Sequence, residues 1–553
     1  GKVVIPQIET KSGLTTIRVK GTILEKMDDL FSMLAKTPGL HQQDKSIVVN
    51  GLGEPVFVIN GREVKDPSIL KTYKADNISK IEIDKAPDGE YADTERPVVK
   101  ITTVKSLNDN LYLSVNGTLT QQERFSAYYG ITARTNIKKY FTEATYSSGP
   151  QNSLLRETYF RKIYHDDYTF TATQERRYPM DMLIHNIRWN NEWDFSPNHR
   201  LGFQYVCRLS NYNECPEGKD ISQFKDRTEE KYIRRNNDVF RKIHSFTVEY
   251  NFKIKNHAIQ FVQDYATNNS NSDLDVTETP STTNGMITKN KSDYKISTSL
   301  LKYNATIDKF NLIFWARYNY IYSNTLSSIN TNRLVPTNVF DQNSIVKESS
   351  PIFYASLARS FKNLSFTAGL RYIYTFRNLR YKDNNSPESM VDVSQSSFIP
   401  YITVKYSKDD FSTYLLFTGN RADPSFRQIN SGMTYKDSLT YESSNANLLG
   451  STSKTLRGGV TWKNLSLTVS YQHVKSPMVD VYFVDPNSEN TMILTPINLD
   501  KSQETRISLS YSKSFNKFEV YGECEVSMPY SKYEFLGKEC TADFVAFNAD
   551  LNL

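Results

Sequence analysis

The chain has 553 residues, of which 38% are hydrophobic and 23% charged, with a formal net charge of +6 and a mean hydropathy of −0.54. No apolar run reaches the roughly 18 to 20 residues that a membrane-spanning helix needs, so only strands are left to cross a membrane. The basic residues are scattered rather than clustered, which argues against a nucleic-acid partner.

Residues 1–105 have the mixed pattern of a small α+β domain. Apolar residues at helical spacing predict a helix over 24–36, which Thr37-Pro38-Gly39 would end. Short strands are predicted at 46–50, 55–59, 78–84 and 98–105, with a tight turn at Asn60-Gly61 and a helical turn over 69–73. The segment is therefore predicted to fold as a unit before the periodic region begins.

The rest of the chain, 106–553, is predicted to form strands with one apolar and one polar face. In 310–320 the two faces consist of Phe310, Leu312, Phe314, Ala316, Tyr318 and Tyr320 on one side and Asn311, Arg317 and Asn319 on the other. Segments 364–376 and 465–471 repeat this alternation. Successive side chains of a strand point to opposite faces of a sheet. Alternation kept for hundreds of residues predicts an all-β transmembrane antiparallel barrel, apolar toward lipid and polar toward its lumen.

The connections between these strands are alternately short and long. Short polar turns are predicted at 135–139, 196–198, 253–256, 307–309, 361–363, 408–410, 463–464 and 515–517. Long polar loops are predicted at 149–180, 213–235, 268–291, 324–350, 382–393, 421–453, 476–501 and 527–541, with one short connection at 121–123. Short turns on the periplasmic side and long loops outside are typical of outer-membrane barrels. A propeller or solenoid would also repeat a hairpin every 45–50 residues or so, but no recurring sequence signature is visible.

Parts of the first domain resemble the plug of TonB-dependent outer-membrane receptors. The resemblance is carried by Leu34-Ala35-Lys36-Thr37-Pro38-Gly39-Leu40, Val56-Phe57-Val58-Ile59-Asn60-Gly61-Arg62-Glu63-Val64, Ala75-Asp76-Asn77-Ile78-Ser79-Lys80-Ile81-Glu82-Ile83 and Ala86-Pro87-Asp88-Gly89-Glu90-Tyr91. Far downstream, Asn420-Arg421-Ala422-Asp423-Pro424-Ser425-Phe426-Arg427-Gln428-Ile429-Asn430 and Asn445-Ala446-Asn447-Leu448 resemble a late loop of the outer-membrane β-barrel family common in Bacteroidota. That family usually has proline where this chain has Ala446.

The resemblance implies a plug domain over 1–105 inside a barrel over 106–553. About 18 strands can be counted, whereas the family's barrel has about 22. We therefore expect the sequence to lack its final strands; a smaller closed barrel with an even strand number is the alternative.

The resemblance also implies location in the bacterial outer membrane, among its lipids, and import of a scarce solute bound by the extracellular loops and plug. An energising protein of the TonB type is the implied partner, and a surface lipoprotein or subunits of an outer-membrane complex are further candidates. The alternative function is a plugged barrel without transport, serving as a structural subunit of an assembly, secretion or surface-display complex. No cofactor is implied.

The sequence contains few candidates for catalysis. GxSxG, HExxH, P-loop and Rossmann patterns are absent, so an enzyme is not predicted. His165-Asp166-Asp167 is best interpreted as a polar loop rather than part of a metal site. The candidates for the lumen and plug are Arg62, Arg317, Arg371 and Arg377. The three barrel arginines are predicted to pair with plug carboxylates such as Glu63, Asp66 or Glu90.

Four cysteines form two local pairs, Cys207 with Cys215 and Cys524 with Cys540. In an oxidising envelope compartment these would form two disulfides that stabilise loops, and Cys524–Cys540 is the better candidate. Four free thiols are the alternative. No CxxC spacing suggests a zinc site.

Overall fold

The chain folds as a small N-terminal plug followed by a large antiparallel barrel. The computed structural model describes residues 8–11, 14–43, 46–49, 52–60, 62–64, 67, 70, 73–87, 96–104, 110–279, 285–331, 341–383, 388–430, 433–437, 439–485, 488–515, 518–535 and 538–552. None of the helices in these ranges has the length and apolar character that a membrane span requires.

The plug is built on a six-stranded sheet in the order β1-β2-β7-β8-β5-β6, with β3 and β4 forming a separate hairpin. Its elements are β1 (Ile8–Lys11), β2 (Leu14–Arg18), α1 (Leu30–Ala35), β3 (Leu40–Gln43), β4 (Ser46–Val49), β5 (Val56–Ile59), β6 (Arg62–Glu63), β7 (Ile78–Asp84) and β8 (Val98–Thr103), with 3₁₀ turns at Ile23–Lys26 and Ala75–Asn77. Within this sheet, β5 and β8 run parallel to each other. Buried Ile17, Leu34, Ile81 and Ile101 belong to one apolar core.

The predicted helix over 24–36 is two shorter elements. The carboxylate of Asp29 accepts a hydrogen bond of 2.7 Å from the Ser32 N–H, so it caps a new helix that begins at Leu30. The chain leaves α1 through Gly39, whose φ of +89° favours glycine. The helical turn predicted over 69–73 lies largely outside the described residues.

The barrel is a single closed ring of strands that begins at β9 and ends at β33, next to β9. Of its 21 described segments, the 18 that cross the wall are β9 (Asn110–Gln121), β10 (Phe125–Ile137), β11 (Tyr140–Pro150), β13 (Thr169–Ser196), β14 (His199–Glu214), β16 (Arg227–Ile254), β17 (His257–Thr279), β18 (Gly285–Ile307), β19 (Phe310–Thr331), β20 (Gln342–Phe361), β21 (Leu364–Asp383), β22 (Ser389–Lys408), β23 (Phe411–Ala422), β26 (Ser451–Trp462), β27 (Leu465–Lys475), β30 (Lys501–Phe515), β31 (Phe518–Phe535) and β33 (Ala546–Asn552). The predicted all-β barrel of about 18 strands is confirmed.

Tight two-residue turns connect the strands at the periplasmic end. In six of them the first turn residue has a positive φ: Lys138, Lys255, Asp308, Lys362, Asp409 and Lys463. Positive φ values are what two-residue hairpin turns need to match the twist of the flanking strands. The predicted turns are therefore confirmed, except that 516–517 lie outside the described residues.

The alternation of side chains across the wall is also confirmed. Outward Phe314, Tyr318, Phe366 and Leu370 are between 41% and 47% exposed, whereas inward Arg371 is 5% exposed. The outward side chains of Leu111, Leu113, Val115 and Leu551, on β9 and β33, are between 64% and 79% exposed. The outward side chains beside this seam are therefore more exposed than those in the middle of the wall, such as Phe314 and Phe366.

The polar segments predicted as long loops consist largely of further strand. β13 and β16 each have 28 residues, far more than a membrane crossing needs. Shorter strands pair with these extensions: β12 (Ser153–Tyr164), β15 (Glu217–Phe224) and β32 (Lys538–Asp543). A separate sheet forms above the mouth in the order β24-β25-β29-β28, from β24 (Met433–Asp437), β25 (Thr440–Ser443), β28 (Met478–Asp485) and β29 (Ser488–Asn498). Helix α2 (Phe426–Ile429) precedes it.

Candidate functional site

The plug is attached to the inside of the wall at β22. The Nζ atom of Lys405 lies 3.0 Å from Oδ1 of Asp84, and both side chains are only 6% exposed. On the same strand, the Tyr401 hydroxyl donates a hydrogen bond of 2.6 Å to the Pro87 carbonyl. Ala86 packs against Tyr401 and Leu416 between these polar contacts. The plug strand β7 therefore ends directly on the wall.

The mouth at the other end is covered by the four-stranded sheet of β24, β25, β28 and β29, which we call the lid. Its strands leave the wall between β23 and β26 and between β27 and β30, yet they contact the opposite side of the ring. Met433 and Tyr441 of the lid pack on Ile233, Val276 and Met286 of the wall. The lid thus spans the mouth.

Polar contacts hold the edge of the lid that lies against β12 and His165. Arg161 of β12 donates hydrogen bonds to the Leu439 carbonyl at 3.0 Å and to the Thr440 hydroxyl at 2.7 Å. The His165 ring nitrogen Nε2 lies 3.2 Å from Oδ1 of Asn490. Leu439 and Met492 of the lid also pack against Ile163 and Phe170 of the wall at this edge. A surface contact of this kind can separate without unfolding the barrel.

A cavity of about 390 Å³ lies in the lumen wall above the plug contact. It is lined by Arg317, Asn319, Ile321, Glu348, Ser350, Ile352, Arg371, Ile373, Asn420, Arg421, Asp423, Pro424 and Phe426. The lining comes from adjacent strands β19, β20 and β21, and from the end of β23 with the loop that enters α2. We call it the arginine cavity.

Charged side chains form a connected set around this cavity. Arg421 donates to Oδ1 of Asp423 at 2.7 and 2.9 Å, and Arg377 donates to Oε2 of Glu348 at 2.9 Å. Arg371 donates to the Gly419 carbonyl at 3.2 Å. With Arg317, the four guanidinium groups and two carboxylates give the cavity region a formal charge of +2. Guanidinium groups recognise carboxylates and phosphates through paired hydrogen bonds, so the cavity favours an anion.

An aromatic pair supports the Arg317 side of the cavity. The Arg317 guanidinium lies 5.2 Å from the ring centroid of Trp315. The Trp315 ring in turn stacks on Tyr354, with centroids 5.3 Å apart. Because Trp315 is only 4% exposed, its fluorescence depends on the protein groups around it and little on bulk solvent.

The downstream loop that carries the family resemblance forms one side of the arginine cavity. Asp423 orients Arg421, and Arg421 also donates to the Gln395 carbonyl of β22 at 3.1 Å. Leu448 is fully buried, and its carbonyl accepts a hydrogen bond of 3.2 Å from Arg377. Local sequence similarity could therefore have pointed to Arg421 and Asp423, which our candidate set did not include.

Three of the four predicted site arginines meet at this cavity. Arg317 and Arg371 line it, and Arg377 binds Glu348 beside it. Arg377 thus pairs with a carboxylate of the wall rather than of the plug. The backbone of Arg62 lies in β6, but its side chain and those of Glu63, Asp66 and Glu90 lie outside the described residues. Sequence reasoning missed the pair that joins plug and wall, Asp84 with Lys405.

All four cysteines lie in described residues and none is joined in a disulfide there, so the structure favours the alternative without disulfides. Cys207 lies within β14 and Cys215 directly follows this strand, eight residues away, and Cys524 and Cys540 lie at different heights of β31 and β32. A strand rises about 3.3 Å per residue, whereas a disulfide needs Cα atoms within about 7 Å. Closeness in sequence is not closeness in space when the intervening chain is extended.

His165 contributes to lid closure rather than to a metal site. Its ring stacks on Tyr168 with centroids 4.3 Å apart, in addition to its contact with Asn490. Within the described ranges, no group of three or more His, Cys, Asp or Glu side chains could hold a metal ion.

Comparisons with known proteins agree with this architecture. A model of the outer membrane protein beta-barrel family matches residues 250–553. No curated protein matches the sequence. Among solved structures, the copper transporter OprC is similar with a TM-score of 0.55 and 11% identity, over 97% of this chain and 84% of that one.

Two other solved structures have a similar fold. The ferric yersiniabactin uptake receptor FyuA from Yersinia pestis has a TM-score of 0.53 at 11% identity, covering 97% of this chain and 89% of that one. The RagAB peptide importer in its open-open state has a TM-score of 0.51 at 9% identity, covering 97% and 75%. At such low identity these similarities concern the fold alone.

Proposed function

The chain belongs to the outer membrane protein beta-barrel family and is located in the bacterial outer membrane, and from this premise we propose that it is a gated receptor that imports a scarce anionic solute. The solute binds in the arginine cavity through a carboxylate or phosphate group and then passes into the periplasm. The observation that carries the proposal is the position of this positively charged cavity, between a plug attached to the wall below and a lid above.

Each part of this arrangement has a defined task. A lumen enclosed by 18 strands is too wide for wall side chains to fill, so the plug is what prevents leakage. The lid contacts at Arg161 and His165 separate to admit the solute. The guanidinium groups then bind its anionic group, for which Asp423 holds Arg421 in a fixed orientation.

Passage to the periplasm requires the plug to leave its contact with the wall. An energising protein of the TonB type, acting on the plug from the periplasm, would supply the work that separates Asp84 from Lys405. A surface lipoprotein bound to the lid is the second partner consistent with this mechanism, because lid movement is the step that admits the solute.

Anion binding can be measured through Trp315. In a variant whose other three tryptophans, Trp189, Trp193 and Trp462, are replaced by Phe, the purified protein is titrated with citrate and with the uncharged triethyl ester of citrate. We expect citrate alone to change the fluorescence of Trp315 in a saturable manner. Arg371→Met should weaken citrate binding about tenfold or more, since a hydrogen bond to a charged group contributes about 1.5–3 kcal/mol.

Arg506→Met is the matched control for this experiment. Arg506 pairs with Glu504 and Glu525 in another part of the wall, so its loss should leave citrate binding unchanged. Equal responses to citrate and its ester, or equal affinities of Arg371→Met and the parent protein, would remove anion recognition from the proposal.

Cellular experiments separate import from the alternative of a structural subunit. For an importer, removal of the energising protein abolishes uptake of the bound solute. Stable copurification with assembly or secretion proteins, together with unimpaired growth on every nutrient tested, would instead support a subunit without transport.

A further inference from the structure

The outer face of the wall between β18 and β21 carries basic side chains directly above its apolar band. On β19 the outward residues Tyr318 and Tyr320 are 47% and 36% exposed, at the upper part of this band. The next outward residue is Tyr322, and the strand register places Lys295 of β18 and Lys347 of β20 on either side of it. Both lysines are exposed, and Nζ of Lys295 lies 5.9 Å from the Tyr322 ring centroid.

A second row of basic residues follows one step higher on the same face. The register aligns Lys291, Leu326, Asn343 and Lys382 across four strands. Together with Lys289 these side chains line a cavity with a volume of about 710 Å³. Arg380 lies outward between the two rows, paired with Ile345.

The balance of charge on this surface is positive. We call Lys289, Lys291, Lys295, Lys347, Arg380 and Lys382 the outer basic surface. In the described part of the chain none of these six forms a salt bridge. The acidic side chains near them are Asp273, Asp275, Asp293, Asp341 and Asp392. Three of these accept other hydrogen bonds: Asp293 from Asn269, Asp341 from the Ile329 N–H and Asp392 from Asn378. Six cations against these five anions leave a formal charge of +1.

The height of the surface fits the boundary between lipid tails and head groups. Lys347 lies 14 residues before Phe361, the periplasmic end of β20. At about 3.3 Å per residue and a tilt of about 40°, this is about 35 Å above the turn, or about 10 Å more than the height of an apolar band about 25 Å tall. Tyrosines at such a boundary are typical of membrane interfaces.

We propose that the outer basic surface binds the phosphorylated head group of a glycolipid in the outer leaflet. The lysines and Arg380 hold the phosphates, and the apolar band beneath them accepts the acyl chains. A soluble anion would use only the charged half of this arrangement, whereas an amphiphile uses both halves. The basic rows and the exposed apolar residues are continuous on one face, which is why the occupant is a lipid.

The test measures lipid binding by native mass spectrometry of the purified, detergent-solubilised protein. The probes are diphosphorylated lipid A, lipid A from which both phosphates have been removed, and inorganic phosphate. The variant carries Lys291→Gln, Lys295→Gln, Lys347→Gln and Lys382→Gln. The control carries Lys219→Gln and Lys231→Gln, exposed lysines of the extracellular extensions that pair with Glu230 and Glu229.

We expect the fourfold variant to bind diphosphorylated lipid A at least about tenfold more weakly than the parent protein and the control, because each basic residue near an anionic lipid surface contributes to affinity. Removal of the phosphates should have a similar effect on the parent protein. Equal binding by the fourfold variant, or equal binding of lipid A without phosphates, would overturn the proposal. Displacement of lipid A by inorganic phosphate at comparable concentration would overturn it in favour of a site for soluble anions. Heat-dependent migration on gels verifies that every variant is folded.

Discussion

Replacement of Asp84 by asparagine should loosen the plug inside an otherwise intact barrel. Asp84 is the acidic partner of Lys405 in the buried ion pair that joins the plug to the wall. An asparagine side chain at this position would keep the shape of the aspartate but leave the ammonium group of Lys405 buried without its carboxylate. The wall itself should be unaffected, because its strand pairing does not involve Asp84.

The size of the effect follows from the burial of this pair. Loss of one partner of a fully buried ion pair costs about 3–5 kcal/mol. The lumen contains water and Lys405 has further contacts, so we expect a value near the lower limit, about 3 kcal/mol, or a shift of about 150-fold in the equilibrium for plug release. With a urea dependence of about 1–3 kcal/mol per molar, the midpoint of plug release should fall by about 1–3 M.

Conductance across a planar lipid bilayer measures this release, since current flows through the barrel only when the plug has left it. We would record the urea concentration at which Asp84→Asn begins to conduct, with Asp76→Asn, an exposed acid of the plug, as the matched control. The double variant Asp84→Leu with Lys405→Met should recover much of the loss, because an apolar pair can replace a buried ion pair at little cost. An unchanged midpoint for Asp84→Asn, or a double variant no better than the sum of the single variants, would refute the reasoning.

Two further predictions concern the extracellular side. The double variant His165→Cys with Asn490→Cys, in a background without the native cysteines, can be cross-linked by a short bis-maleimide, because these two side chains are 3.2 Å apart across the lid edge. The cross-link should hold the lid closed and prevent citrate from reaching Trp315. A full fluorescence response after cross-linking would contradict this role of the lid, and each single cysteine variant is the control. Burial raises the pKa of the Cys215 thiol, whose Sγ atom also donates to Oδ1 of Asn213 at 2.8 Å. The thiolate, which is the reactive form, should therefore appear at higher pH than in glutathione, and alkylation by iodoacetamide followed by mass spectrometry would show the delay. Reaction of Cys215 at the same pH as glutathione, or protection that disappears only with a reducing agent, would contradict a partly buried thiol without a disulfide.

The barrel could be predicted from sequence because its physical cause is local. A strand between lipid and a wet lumen must alternate apolar and polar side chains, and Phe310 to Tyr320 show this without any knowledge of partners. The short turns are equally local, since residues such as Asp308 and Lys463 tolerate the positive φ that a two-residue hairpin needs.

Where both faces of a strand are in water, the same local signal disappears. The extensions of β13 and β16 rise above the membrane with polar residues on either side, so their sequence looks like that of a loop. Only pairing with neighbouring strands makes them regular, and pairing depends on residues far away in the chain. The lid was missed for the same reason, and with it the role of His165.

The interior site could be predicted in part. Inward arginines on β19 and β21 follow from alternation alone, but their partners do not. Arg377 binds Glu348, 29 residues away, and Lys405 binds Asp84, 321 residues away. These pairs depend on how strands meet in the ring and how the plug is oriented, which no local pattern specifies.

The uneven distribution of contacts indicates which part of the molecule moves. Neighbouring wall strands such as β18 and β19 are held by a continuous ladder along their whole length, from Ile307 to Met286. The described plug residues meet the wall at a limited set of places. These include the pair of Asp84 and Lys405, the hydrogen bond from Tyr401, the packing of Ala86 on Tyr401 and Leu416, and Lys74, whose Nζ lies 5.8 Å from the Tyr112 ring centroid. A net contribution of about 1 kcal/mol per hydrogen bond makes strand separation far more costly than release of this small contact. Under the proposed import mechanism, work delivered from the periplasm would displace the plug while the wall, which carries the arginine cavity, stays in place. A solute bound in that cavity would then remain bound until the channel beneath it opens.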